Sequence, residues 1–333
     1  MRGLVEVVAV LALVGAAGIG ALYWMTAMPG EARPASTASQ TPAAAELARR
    51  LRGHVENLAA EIGVRREDRG DSLERARDYI AGQLEASGYA VHRERFGNGG
   101  RERTNVEATR AGGDRPDEVL VVGAHYDTVA GSPGANDNAS GVAVLLELAR
   151  ALRDASPSRT VRFVAFANEE APFFGTDAMG SRVHARRARE RGERIVAMIS
   201  LEMLGCFSDQ AGSQRYPRPL AWFYPDTGDF VGFVGNAASR ALVRRSIAAF
   251  RETALLPSEG FAAPASLFRD IGRSDHASFW AYGYPALMVT DTAGFRYPFY
   301  HTALDTPDGL DYRRMALAAL GLEATVVAEA NRP

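Results

Sequence analysis

Acidic and imidazole side chains recur at four places where an apolar run stops. In GAHYDTV, His125 and Asp127 stand at i and i+2 of an extended segment. Their side chains share one face, so the carboxylate can take the spare N–H of an imidazole whose other nitrogen holds a metal. GSPGANDNASG is a turn-forming loop that presents Asp137 just before a helix. FVAFANEEAP closes a strand on Glu169 and Glu170, which Pro172 then breaks, and at such a turn two adjacent carboxylates can converge on one cavity in different roles. HTALDTPD adds His301 and Asp305 near the C-terminus. The chemistry open to this set is a metal held by oxygen and imidazole, with a carboxylate to spare for proton transfer. Singly, a His–x–Asp or a Glu–Glu pair is an ordinary packing or surface feature; the order and neighbours of all four carry the reading.

Composition removes the competing chemistries. All 38 basic residues are arginine, so Schiff-base and P-loop lysine mechanisms are excluded. One cysteine, Cys206, rules out disulfide frameworks, cysteine-rich zinc knuckles and protein-held iron–sulfur clusters, and with no basic or histidine neighbour it reads as inert. A formal net charge of -2, with both signs mixed along the chain, leaves no footprint for nucleic acid. With 333 residues and 47% hydrophobic content, the chain can bury a large core.

The elements that must position these groups are legible as periodicity. Helical spacing runs over Ala45–Ala60 and Ser72–Ser87. Strands are expected at Glu118–Gly123, Thr160–Ala167, Ile195–Met203 and Pro285–Thr290, and helices from Ser140, which serves as the N-cap, over Ala178–Arg191, Ala237–Arg251 and Asp311–Ala330. This is the strand–helix alternation of an α/β sheet covered on both faces. The Pro- and Gly-rich stretch Leu255–Gly272 reads as a loop and candidate lid, and with Cys206–Phe233 as a wall of a pocket, for which an apolar occupant is the expected preference. His54, His92 and His184 read as solvated, and Asp275 and His276 as pocket or helix-start residues.

The series GAHYDTV, GANDNASGVAVLLELARAL, FANEEAPFFGTDAMGSR, SLEMLG, SDHASFW and YHTALDT resembles the zinc aminopeptidase family M28, over Leu47–Val327. The resemblance implies a mixed, mostly parallel central sheet sandwiched by helices, and two zinc ions bridged by a carboxylate and a water. Carried over by motif position, His125 holds one zinc, Asp137 bridges both, and Glu170 and His301 hold the second. The family commonly has aspartate at the remaining position, where SLEMLG places Glu202; its carboxylate reaches about 1.5 Å further, and either acid suits zinc. Glu169 matches the general base that activates the metal-bridged water. Tyr300 matches a tyrosine that hydrogen-bonds the oxyanion in some members, and is equally well read as aromatic packing. Asp127 and Asp305 orient the ligands. The function implied is a metallo-aminopeptidase acting on peptides with a free N-terminus, whose α-ammonium falls to Glu169 or Glu202. A single-zinc glutaminyl-cyclase-like enzyme and a carboxypeptidase of the same fold are the alternatives, and NDNASG, altered in the cyclases, is intact here. A non-enzymatic ectodomain, which would have lost ligands, is disfavoured because all five ligand positions are filled.

Val7–Met28 carries no charge and, at about 33 Å as a helix, matches the hydrocarbon core of a membrane. It reads as an uncleaved signal anchor in preference to a signal peptide, with the bulk of the chain exported, membrane-anchored or, where the segment is cleaved as a signal peptide, secreted. The expected organisation is an anchor over 1–28, a Pro/Ala/Ser/Thr linker over 29–45 and a single catalytic domain over 46–330.

Overall fold

Val119–Ala124 is an unbroken run of apolar residues and glycine, and a strand so composed buries itself only when helices cover both its faces. It lies at the centre of the sheet in the computed structural model, which describes residues 2–33, 41–98, 101–218 and 220–333. In chain order the elements are α1 (Arg2–Thr26), α2 (Pro42–Glu56), α3 (Ser72–Ala86), β1 (Val91–Asn98), β2 (Arg101–Arg110), β3 (Arg115–His125) and α4 (Gly141–Leu152). There follow β4 (Arg159–Phe166), α5 (Gly180–Glu190), β5 (Arg194–Glu202), β6 (Val231–Asn236), α6 (Arg240–Glu252), β7 (Ser258–Ala263), α7 (His276–Ala281), β8 (Ala286–Thr290) and α8 (Tyr312–Asn331).

The eight strands form one sheet in the order β1-β2-β4-β3-β5-β8-β6-β7. Strands β4, β3, β5 and β8 are mutually parallel, β6–β7 is a parallel pair, and β1–β2, β2–β4 and β6–β8 are antiparallel. The mixed, mostly parallel α/β sheet expected from the resemblance is therefore present. The main core joins one face of the sheet to α2, α3, α4, α6 and α8, while a smaller cluster packs α5 and α7 on the other. Chain order steps outward from β3 in both directions, to β4 on one side and β5 on the other, and an open α/β sheet forms its crevice at the carboxyl ends beside such a reversal.

Three expectations change. Leu255–Gly272 is not wholly a loop: Ser258–Ala263 is the edge strand β7, which pairs in register with β6. Ser140 does not cap α4; it is already helical and its hydroxyl donates to the Asn136 carbonyl, while Asn138 Oδ1 accepts from Gly141 N. His184 is fully buried, with Nδ1 2.9 Å from Glu94 Oε2, and His54 is mostly buried between Tyr79 and Glu147; His92 alone of the three is exposed.

Helix α1 projects with its apolar surface largely uncovered, and its Ala9–Thr26 segment is long and apolar enough to cross a membrane. Its C-terminal end is attached to the body. Met25 is buried with Leu220 and Phe261, and Arg240 and Arg244 donate to the Trp24 and Ala27 carbonyls. The chain then runs along β7: Arg251 donates to the Pro29 and Gly30 carbonyls, Ser258 N donates to Ala32 O, and Arg33 pairs with Asp229. Within the expected linker, residues 34–40 lie outside the described residues.

Candidate active site

Each acid or imidazole singled out in the sequence sits at the carboxyl edge of the parallel strands. His125 ends β3, Glu169 and Glu170 follow β4, and Glu202 ends β5, so three adjacent strands deliver their last side chains to one spot. Asp137 comes from the loop before α4, and His301 from the turn after β8. The side chains meet: His125 Nε2 lies 3.3 Å from Asp137 Oδ1 and 3.4 Å from Glu202 Oε2. His301 Nε2 lies 3.1 Å from Asp137 Oδ2 and 3.5 Å from Glu170 Oε1. Asp137 thus turns one oxygen to each imidazole. Two groups with the spacing of a metal site share it, His125–Asp137–Glu202 and Asp137–Glu170–His301.

The electrostatics are those of a site short of positive charge. Burial works against a charged His125, yet Glu202, Glu169, Asp127 and Asp137 outweigh it and pull the imidazole well above its usual range. His301 is likewise raised to about 10, burial being overcome by Asp137 and Glu170. Burial raises the carboxyl of Asp137, but hydrogen bonds from both imidazoles hold it well below the usual carboxylate range. Burial pushes Glu169 well up, with Glu170 and Glu202 adding to the effect, and pushes Glu170 up to about 7. Four carboxylates face two imidazoles with no arginine in ion-pair contact among the described residues, and oxygen and imidazole are donors that suit zinc. Glu202 accepts a hydrogen bond from the Ser274 hydroxyl at 2.6 Å.

The supporting acids clamp backbone rather than imidazole. Asp127 accepts from Glu169 N and Glu170 N, both at 3.0 Å, while its oxygen stands 3.5 Å from His125 Nδ1. Asp305 accepts from Asn136 N at 2.7 Å, Asp137 N at 3.1 Å and the Tyr297 hydroxyl at 2.9 Å. Tyr300 stacks on His301 with ring centroids 3.8 Å apart and also lines the adjoining cavity, so both of its readings are compatible with its position.

Several contributors were not singled out in the sequence. Asn136, Asn138 and Ser140 lace the Asp137 loop to the end of β5: Gly205 N donates to Asn136, Met203 N to Asn138 and Leu204 N to Ser140. Gly141 is required by this closeness, since a Cβ there would lie 2.3 Å from Asn138 Oδ1 and 2.5 Å from the Leu201 carbonyl. Asp291 joins Asn136 Nδ2 to Cys206 N, and it follows the end of β8 just as the other acids follow theirs, a signal that was available. Arg65, fully buried, spends its guanidinium on the carbonyls of Leu58, Gly63, Tyr126, Pro133 and Gly134, and nothing in its sequence context marks it. Burial raises the Cys206 thiol to about 12, in keeping with an inert residue. Asp275 and His276 begin α7 buried; His276 bonds the Ile271 carbonyl, and it is the preceding Ser274 that reaches the site.

The family model described as "Peptidase family M28" matches residues 105–326. The chain belongs to peptidase family M28. Among M28-like relatives, "Uncharacterized protein YfbL" of Escherichia coli is 37% identical over 308 residues, covering 90% of each chain. The solved structure of BSAP, a zinc aminopeptidase from Bacillus subtilis, superposes with a TM-score of 0.68 at 15% identity, covering 86% of this chain and 96% of that one. Tannerella forsythia glutaminyl cyclase shares the fold at a TM-score of 0.61 and 20% identity, over 86% and 98% of the two chains. As an M28 protein the chain is a peptidase, and its fold is that of the zinc aminopeptidases.

Proposed function

We propose that the protein is a two-zinc aminopeptidase, and the observation that carries this is Asp137, which offers one oxygen to each of two ligand groups. His125 and Glu202 complete one site, and Glu170 and His301 the other. Zinc in such a site lowers the pKa of water to about 7 and polarises the scissile carbonyl. Glu169 is buried beside these ligands, 4.0 Å from His125 Nε2, a position that suits a general base. Its carboxylate takes the proton of the attacking water and hands it to the departing amine nitrogen. Asp127, by fixing the Glu169 and Glu170 peptide units, keeps base and ligand in one relative position. Tyr300, at the border between ligands and cavity, is placed to donate to the oxyanion.

The substrates on this reading are peptides with a free N-terminus, bound by one domain that begins near α2. The same proposal keeps α1 as a retained membrane anchor, with the catalytic domain outside the cytoplasm. Met25 and the carbonyls from Trp24 to Ala32 are built into the body, and cleavage beyond them would deprive Arg240 and Arg244 of the Trp24 and Ala27 carbonyls and Arg251 of the Pro29 and Gly30 carbonyls.

Glu169→Gln tests the chemistry. Metal analysis should find two zinc ions per chain in both forms, and turnover of aminoacyl anilides should fall at least about 1,000-fold in the variant. Blocked N-acetyl substrates should not be cleaved by either. Unchanged activity in Glu169→Gln removes it as base, and one ion per chain removes the bridging role of Asp137.

A further inference from the structure

The register of the sheet places a second carboxylate on the floor of the cavity that starts at Glu202. Glu202 pairs with Thr290, Thr290 with Gly232, and Gly232 with Glu259, a row running straight across β5, β8, β6 and β7. Residues directly paired across strands share a face, so Glu202 and Glu259 rise from the same side of the sheet, about 14 Å apart at three strand spacings. All four line one cavity of about 550 Å³. Gly232 contributes no side chain and leaves the floor between the two acids open.

Glu259 is half-buried and, among the described residues, has neither a hydrogen bond nor an ion pair. The arginines nearest it are committed elsewhere. Arg33 is paired with Asp229, and Arg251 donates to the hydroxyl and carbonyl of Ser258 and to the Pro29 and Gly30 carbonyls. The walls are aromatic: Tyr216 and Tyr224 stack with ring centroids 5.5 Å apart, and Phe261 and Phe268 meet edge to face at 5.1 Å. The cavity is apolar along its length, as expected for the substrate pocket, and acidic at its far end. Three exposed arginines, Arg218, Arg269 and Arg273, stand at the rim, in solvent where their charge is screened, and Arg273 is paired with Asp270.

Building on the aminopeptidase reading, we propose that this cavity selects peptides whose N-terminal residue is lysine or arginine, with Glu259 receiving the side-chain cation. An extended lysine reaches about 6 Å from Cα to Nζ, and a hydrogen bond adds about 3 Å. With the reach of the Glu259 side chain added, this is comparable to the separation of about 14 Å between the Glu202 and Glu259 backbone positions. The aliphatic stem lies against the aromatic walls, which also favour a passing cation.

The test is calorimetric binding of the hydroxamates of lysine, norleucine and glutamate to the zinc-loaded full-length protein and to Glu259→Gln, alongside turnover of the matching anilides. Norleucine keeps the stem of lysine and lacks the charge. Lysine should bind the wild-type protein at least about tenfold more tightly than norleucine. In Glu259→Gln the two should come within about twofold of each other, norleucine itself being unchanged. Norleucine or glutamate binding as well as lysine overturns the proposal, as does a lysine preference that survives in Glu259→Gln. Should the variant fail to fold, the wild-type lysine-to-norleucine ratio decides alone. A Glu259-dependent lysine preference without turnover of any anilide supports the pocket and refutes the aminopeptidase reading instead.

Discussion

Asp127→Asn isolates the part played by backbone clamping. The wild-type carboxylate accepts two peptide N–H groups, those of Glu169 and Glu170, each at 3.0 Å. The amide keeps one acceptor oxygen and replaces the other with a donor that faces an N–H, so one charge-assisted bond is lost and one buried donor is left without a partner. Such a bond contributes about 1.5–3 kcal/mol, and the orphaned N–H adds to the loss. A melting point lower by roughly 5–10 °C follows for a domain of this size. Catalysis should fall too, because the peptide unit that turns freely is the one carrying the base. If half of that energy orients Glu169, kcat drops by about tenfold, with KM little changed. Thermal melts, zinc content and kcat measured on the same preparations separate the two effects. A variant that melts early but keeps full kcat at full zinc would show that Asp127 stabilises the turn without positioning the base, and the argument would be wrong.

Three further outcomes are expected. Ser274→Ala removes the hydroxyl that holds Glu202 and should weaken zinc binding about 10–100-fold in a chelator competition, with the melting point of the zinc-free form little changed. Arg65→Met strips five carbonyls of their donor and should cost more than about 3 kcal/mol, read as a melting point lowered by at least about 6 °C or as insoluble expression. Burial pushes Glu94 up, but His184, Asn105 and Arg187 overcome it and hold its carboxyl at about 2, against an ordinary value of 4.5. Its contribution to stability is therefore complete above pH 4.5 and lost as the pH falls towards 2, so Glu94→Gln should flatten the acid limb of a melting-point-against-pH curve in that window.

The parts of the site that could be read in the sequence are those governed by strand ends. A parallel strand buried on both faces is recognisable as an apolar run, and the polar residue that stops it must emerge at the carboxyl edge, where crevices form. His125, Glu169, Glu170 and Glu202 all follow that rule, and so does Asp291, which was passed over. Asp127 and Asp305 stand out in the sequence, but what the supports bond does not, for a physical reason: they act through backbone. Asp127, Asp305 and Asn136 accept from peptide N–H groups, Arg65 donates to carbonyls, and Asn138 bonds both, so the identity of the residue each one serves leaves no trace in the sequence. Ser274 was hidden by its neighbours, because Asp275 and His276 have the side chains that draw attention in a search for metal chemistry.

Four strands escaped periodicity, β1, β2, β6 and β7, and the last two line the cavity beside Glu202. β6 and β7 are short, contain Gly232, Gly235 and Gly260, and present residues to a cavity on one face rather than to a helix layer. Gly232 lines the cavity without a side chain, and at Gly260 a Cβ would lie 2.6 Å from the side chain of Met28. The same close approach that weakens the strand signal joins the N-terminal strap to the back of the pocket. Tyr224, a wall residue, bonds the Gly260 carbonyl at 2.6 Å, and Met25 is buried with Phe261. Helix α1, edge strand and pocket wall therefore form one packed unit, and a change in the seating of α1 would be felt at Glu259 before it reached the proposed metal ligands, which are tied down independently by Asp127, Asp305 and Ser274.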